Sequence, residues 1–513
     1  MLLTGALAMT ACSGSGSGSE QAGDRTLVID TSFDLKTADP GRMFETTGMF
    51  VGKSVYDTLL TFDGDDVTRP VPALATSFKL SDDGKVLTLK LRSGVKFSDG
   101  SPLTADDVVF SLTRVRDMKG TPSFLLDGVE VAKADASTIT LTSKAPNPAL
   151  PYILPNPVLG ILNSKVAKEH GATADAKDKA ERYLNSASAG SGPYTIESLN
   201  VSSQVVLRAN PKYYGRKPAY DKVVIRNVAA ATQKLNVQRG DSQVALNLSG
   251  DQVKAMPGNT QVTKAASANV IYLATSRNPS VSKTTSNPKF AEAVRKGVDY
   301  AGLLELAGAG SVQAPGLIPS QLVGALPPVQ AATRDVAGAK AALAASGLDH
   351  PSVKLEYPSE LTVNGLSFQP LAERIQANLK EVGITVDLAP APISTAADNY
   401  RNGKEEMGLW YWGPDYPDPS DYLVFLPGKP VGLRVGWKAG ADKELEAAGT
   451  KAATAIGEDA RKQAYADMQT RLNASGPFVP LIQPSQNIVA AASVTGVKYH
   501  PVWTVDIADL GAK

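Results

Sequence analysis

The apolar pattern changes character once along this chain, near residue 280, and that change limits the folds open to it. Before it, short runs read as strands: Leu27 to Ile29, Val86 to Leu91, Thr138 to Thr142, Val205 to Arg208 and Val223 to Ile225. Asp83-Gly84, Ser93-Gly94 and Asp99-Gly100 punctuate this region as turns. Thr104 and Asp107 have the spacing of a capping box ahead of an apolar run. After residue 280, helices alternate with strands. Asn287-Pro288 opens a helix with Phe290, Val294 and Val298 on one face, and Asp335 opens another that stops at Gly347. Leu371, Ile375, Leu379 and Val382 form a helical stripe closed by Gly383; Ile384, Val386 and Leu388 then alternate as a strand. Tyr465, Met468 and Leu472 make a last stripe, which Gly476-Pro477 breaks before the strand Phe478 to Ile482. A β-rich part followed by an α/β part, in 513 residues, exceeds what one core serves and predicts at least two domains.

Composition removes several function classes. Lys and Arg number 52 and Asp and Glu 51, so the net charge of +1 gives no pull toward nucleic acid or anionic lipid. No internal apolar stretch approaches the ~18 residues that span a bilayer. Cys12, the single cysteine, excludes an intrachain disulfide and a Cys-based zinc site. His170, His350 and His500 have no metal-ligand spacing, so neither metal nor cofactor is expected. Gly48 to Ser54 (G-M-F-V-G-K-S) has three residues between its glycines, where a phosphate loop needs four. Asp82-Asp83 and Asp106-Asp107 read as a turn and a cap, not as a glycosidase pair. A secreted two-domain hydrolase would need a nucleophile and base that the sequence does not display.

At the N-terminus an apolar run, Leu2 to Ala11, meets Cys12 and then a Gly/Ser stretch from Ser13 to Ser19. With the small residues Thr10 and Ala11 before the cysteine, this resembles the end of a bacterial lipoprotein signal peptide. The resemblance implies a signal peptide over 1–11, lipidation of Cys12 and a flexible tether over 12–24. Acyl chains would then hold the mature protein to the outer face of the cytoplasmic membrane.

Leu91 to Leu112 reads L-R-S-G-V-K-F-S-D-G-S-P-L-T-A-D-D-V-V-F-S-L. This is similar to the signature segment of the peptide/nickel/opine class of extracellular solute-binding proteins, which serve ABC importers. Further family-like segments follow in order: G-S-G-P-Y-T-I at Gly190, R-A-N-P-K-Y-Y-G at Arg208 and A-V-R-K-G-V-D-Y at Ala293. Then come A-E-R-I-Q-A-N-L-K-E-V-G-I at Ala372 and W-Y-W-G-P-D-Y-P-D-P at Trp410. The resemblance covers roughly 26–510. It implies an α/β, two-lobed periplasmic-binding-protein-like fold of type II, with an extra subdomain in lobe one and the ligand cleft between the lobes. Lobe one would be 25–273 plus 484–513, with the subdomain at about 62–188, and lobe two 274–483. The implied role is capture of di- or oligopeptides by cleft closure and delivery to a permease and ATPase, by a monomer and without chemistry. A nickel chelate, an opine or an oligosaccharide is the alternative cargo, and contact with a sensor protein a further role.

Trp410 to Pro419 is the densest aromatic cluster of the chain and holds two of its four tryptophans. In peptide-binding members the acid matching Asp415 pairs with the ligand's α-ammonium, which implies that role for Asp415 and a side-chain pocket at Trp412. Trp410 stands beside it on the same strand end. Asp418 reads as a turn residue before Pro419. Arg401 and Arg434 flank the cluster as cations for a ligand carboxylate, and equally as ordinary surface arginines. Tyr56, in V-Y-D-T-L-L, matches a segment that borders the cleft and is as readily a core residue; Tyr272 and Trp437 are candidates of the same type. The family often has His where Ser98 stands, and some oligopeptide binders have Arg at the place of Leu409, so ligand length stays open.

Overall fold

Leu27 and Ile29 lie beside Val223 and Ile225 in a parallel pair at the centre of a seven-stranded sheet. The computed structural model describes residues 25–513; Cys12 and its tether lie outside the described residues. The sheet runs Thr260–Ala266, Ser485–Ala491, Val244–Ala245, Thr26–Thr31, Lys222–Asn227, Gln204–Ala209 and Tyr194–Asn200. Only the pairs made by Thr26–Thr31 are parallel.

A second sheet of six strands runs Val312–Gln313, Phe478–Gln483, Val270–Thr275, Met407–Trp412, Ser352–Pro358 and Thr385–Ala391. Its strand Val270–Thr275 is buried along its whole length because both faces are covered. Ile271 and Leu273 enter one core with the helices Pro288–Gly297 and Phe368–Val382. Val270, Tyr272 and Ala274 enter another, aromatic core on the opposite face. The helix Phe368–Val382 ends at Gly383, whose φ of 100° is open to glycine and strained for other residues.

A four-stranded antiparallel insertion (Ala75–Leu80, Val86–Leu91, Thr138–Ser143, Val129–Asp135) packs on the helix Ala105–Asp117. That helix starts where the capping box predicts: the Asp107 carboxylate accepts from the Thr104 N–H at 2.9 Å and from its hydroxyl at 2.7 Å. The insertion's apolar core draws on residues from Met43 to Ile161, whereas Leu162 to Leu184 pack in the core of the first sheet. This core begins and ends earlier along the chain than the subdomain of about 62–188 that the resemblance implies.

Two short passages join the sheets, one at 267–269 and one at Pro484. The first lies before the 273/274 division expected from sequence, since Val270–Thr275 pairs along its length within the second sheet. The passages are bonded to each other: the Ser267 N–H donates to the Pro484 carbonyl at 2.9 Å, and the buried Gln483 amide to the Ser267 carbonyl at 2.9 Å. A two-stranded connection of this kind lets one body rotate against the other with few φ/ψ changes.

A buried charge network ties the insertion's helix to the first sheet. Arg114, fully buried, donates to both oxygens of Asp39 at 2.7 Å and to both of Asp178 at 2.7 and 2.9 Å. Arg42 adds a further bond to Asp178 at 2.8 Å.

Candidate functional site

The strand Met407–Trp412 carries its even positions toward the aromatic core, so Trp410 and Trp412 share one face. Trp410 is buried: it stacks on Tyr400 at 4.7 Å, and its indole N–H donates to Glu405 at 2.8 Å. Burial pushes the Glu405 carboxyl up to about 8. Tyr272 shares a 2.7 Å hydroxyl contact with Tyr400, and the Arg434 guanidinium lies 5.2 Å over the Tyr400 ring. Trp437 is buried in the same core. Trp410, Tyr272 and Trp437 thus lie buried behind the strand end, and the half-exposed Arg434 covers the Tyr400 ring.

Past Trp412 the prolines 414, 417 and 419 forbid further ladder bonds and turn the chain out of the sheet. The loop lies between the two halves of the molecule. The Asn156 amide, from the insertion side, donates to the Asp415 carbonyl at 3.0 Å. The Tyr416 ring packs against the insertion core. Phe62, Val67 and Trp503, from the first half of the fold, join the aromatic core of the second.

Asp415 is half-buried, and burial pushes its carboxyl up to about 6. Asp421, only 4% exposed, accepts from the Trp412 indole at 2.8 Å and from the Asp415 N–H at 3.3 Å. Burial, then the adjacent Asp415 charge, hold the Asp421 carboxyl well above the ordinary range. Among the described residues neither acid is in an ion pair. By contrast, Asp418 is committed: it accepts from the Ser420 N–H at 2.9 Å and pairs with the buried Arg461. It is the turn residue the sequence predicts, with an ion pair added.

Arg401 is exposed at the end of the helix Ile393–Arg401. Tyr56, 1% exposed, belongs to the core of the first sheet, and its hydroxyl has no partner. Core packing, rather than contact with the cleft, accounts for it. Tyr56→Phe is expected to keep ligand affinity and to raise stability by about 1 kcal/mol, the penalty of an unpaired buried hydroxyl; urea unfolding of both proteins measures it.

The sequence brings Trp412 and Asp415 together. It does not point to Asp421, Tyr416 or Asn156. Asp421 stands among three near-identical acids in one loop, and Asn156 is 259 positions away from its partner.

The family model described as bacterial extracellular solute-binding proteins, family 5, middle, matches residues 69–431. The chain belongs to this family. As a family 5 solute-binding protein it is an extracytoplasmic binding protein, not an enzyme, and it has the periplasmic-binding-protein-like fold. It is 27% identical over 492 residues to the probable D,D-dipeptide-binding periplasmic protein DdpA of Escherichia coli, covering 93% of this chain and 92% of that one. Di/tripeptide-binding protein 2 of Pseudomonas aeruginosa is 26% identical over 508 residues, 94% of each chain. Helicobacter pylori DppA, solved in complex with the peptide STSA, superposes with a TM-score of 0.76 at 23% identity, covering 95% of this chain and 98% of that one. Among the described residues no helix is long and apolar enough to cross a membrane.

Proposed function

We propose that this chain is the substrate-binding component of an ABC importer for short peptides, and that it takes the ligand's free α-ammonium at Asp415. The observation that carries this reading is a half-buried carboxyl, without a cation partner among the described residues, on a Trp- and Tyr-lined loop between the two halves of the fold. An ammonium in a closed cleft needs such a partner, because an unpaired buried charge is prohibitive. The names of two relatives, a D,D-dipeptide-binding and a di/tripeptide-binding protein, support the same cargo.

Trp412 and Tyr416 would wall the first side-chain pocket. The passages at 267–269 and Pro484 would act as the hinge, with lobes divided there. The Asn156 bond to the Asp415 loop would fasten the closed form, so that ligand capture and closure act at one place. A monomer tethered by lipidated Cys12 to the outer face of the cytoplasmic membrane would then present the closed form to the permease and ATPase.

The test is a thermal-shift series with unmodified di- and tripeptides and their N-acetylated forms. Free peptides are expected to raise the melting temperature by mass action, and acetylated ones to leave it unchanged. Equal shifts from both, or from neither, would refute the ammonium reading. Native mass spectrometry of protein purified without denaturation identifies any retained cargo directly.

A further inference from the structure

Two acids, not one, meet at the loop, and the second has no structural employment beyond two N–H donors. Asp421 is almost wholly enclosed, its Oδ2 accepts from Trp412 and Asp415, and no cation pairs with it among the described residues. The groups that face the two acids are known from each side. Asp418 on the same turn is taken by Arg461 of the helix Glu458–Ser475, and Tyr465 lies beside that pair. Tyr416 and Tyr422 come from the loop itself, Tyr499 from the C-terminal segment, and Asn156 from the insertion. None of these supplies a positive charge for Asp415 and Asp421. The Tyr422 hydroxyl is also fully buried and without a hydrogen-bond partner among the described residues, and burial, then the charges of the two acids, raise its titration.

We propose that Asp421 is the second acid of the ammonium pocket: it holds a proton while the cleft is empty and yields it to solvent when a ligand ammonium seats against Asp415. This rests on the ammonium reading of Asp415. An enclosed carboxylate beside a half-buried one resists ionising together with it when no cation is present. The direction of both titrations agrees, since burial raises each acid and Asp415 raises Asp421 further. An arriving unit positive charge at about 5 Å, in an effective dielectric of about 20, lowers an acid's titration point by about two pH units. The ammonium therefore exchanges for the proton, and the pocket's negative charge grows when the cation is there to use it. Affinity rises with pH, because binding releases protons. The consequence is specificity for a compact amine that binds as its ammonium over neutral solutes.

Asp421→Asn separates this from a merely structural role, since its amide oxygen still accepts from both donors. Titration calorimetry uses the tightest binder from the unmodified di- and tripeptide set, in phosphate and in Tris at pH 7.5. Wild type is expected to release about half a proton more per ligand than Asp421→Asn. The ligand's own proton uptake cancels in that difference. Asp421→Asn is further expected to bind within about threefold of wild type at pH 5.5, and tenfold or more weaker at pH 8. Equal proton counts and parallel pH profiles overturn the proposal while leaving the ammonium site standing. Equal affinity for free and acetylated peptides, or no binding by any peptide, overturns both. Should Asp421→Asn fail to fold, wild type alone decides: no dependence on buffer beyond the ligand's own uptake refutes it.

Discussion

Replacing Arg114 with methionine is expected to lower the unfolding free energy by about 3–5 kcal/mol at pH 7, the cost of stranding a buried charge by removing its partner. Arg114 is fully enclosed and supplies four hydrogen bonds to Asp39 and Asp178. Methionine fills much of the volume, so the loss is of charge and donors rather than of packing. Arg42 remains, but it stands at the rim and reaches the carboxylate of each of Asp39 and Asp178 with a single nitrogen, against the two that Arg114 gives to each. The pH dependence carries a sign of its own. Burial pushes Asp178 up, but the bonds and charge of Arg114 outweigh it and hold the carboxyl at about 2. A depressed carboxyl stabilises fully above its unfolded value, near 3.8, and loses that contribution as pH falls through about 2. The deficit of Arg114→Met should thus be complete above pH 4 and shrink between pH 4 and 2. Urea unfolding at pH 7 and pH 3 measures both ends. A loss under 1 kcal/mol at pH 7 would mean that desolvation already cancels the network's attraction.

That network also marks where the sequence stops being informative. Each of its members is an ordinary acid or arginine in the chain, and only the fold sets Asp39, Arg114 and Asp178 in contact across separations of 75 and 64 positions. Elements with a one-sided environment were legible. The stripe Leu371, Ile375, Leu379, Val382 with Gly383 gives the helix Phe368–Val382 and its left-handed cap, because one face is apolar and the turn needs glycine. The strand Val270–Thr275 was not, since burial on both faces erases the alternation that dates a strand's position. The first passage between the sheets lies at 267–269, a few residues before the 273/274 division that the resemblance implies. At the site, aromatic density pointed to Trp410–Pro419 as a whole. Which ring is buried and which lies open depends on the sheet's two faces, and Trp410 and Tyr272 are buried in the aromatic core. The three acids of that loop differ in company: Asp418 has Arg461, Asp415 has no cation among the described residues, and Asp421 has two N–H donors.

Asp415→Asn is expected to weaken binding of a free peptide by about 1.5–3 kcal/mol, roughly 10- to 150-fold, the scale of a hydrogen bond to a charged group. Asparagine keeps the shape of the loop. The Asn156 bond goes to the Asp415 carbonyl and the Asp421 bond to its N–H, so neither uses the side chain that changes. Stability should therefore hold and rise slightly at pH 7, because a half-buried carboxyl held up at about 6 by burial is replaced by a neutral group. The pH profile follows with a definite sign. In wild type, protonation of Asp415 removes the charge that attracts the ammonium, so affinity falls as pH drops through about 6. Asp415→Asn lacks that step and should show a flatter profile below pH 7. N-acetylation of the peptide removes the other partner of the same contact. The two changes together should then cost little more than either alone, which is the signature of a direct pair in a double-mutant cycle. Calorimetry on the four combinations reads it out. Additive losses would place the ammonium elsewhere in the cleft and leave Asp415 as a strained acid whose partner is still to be found.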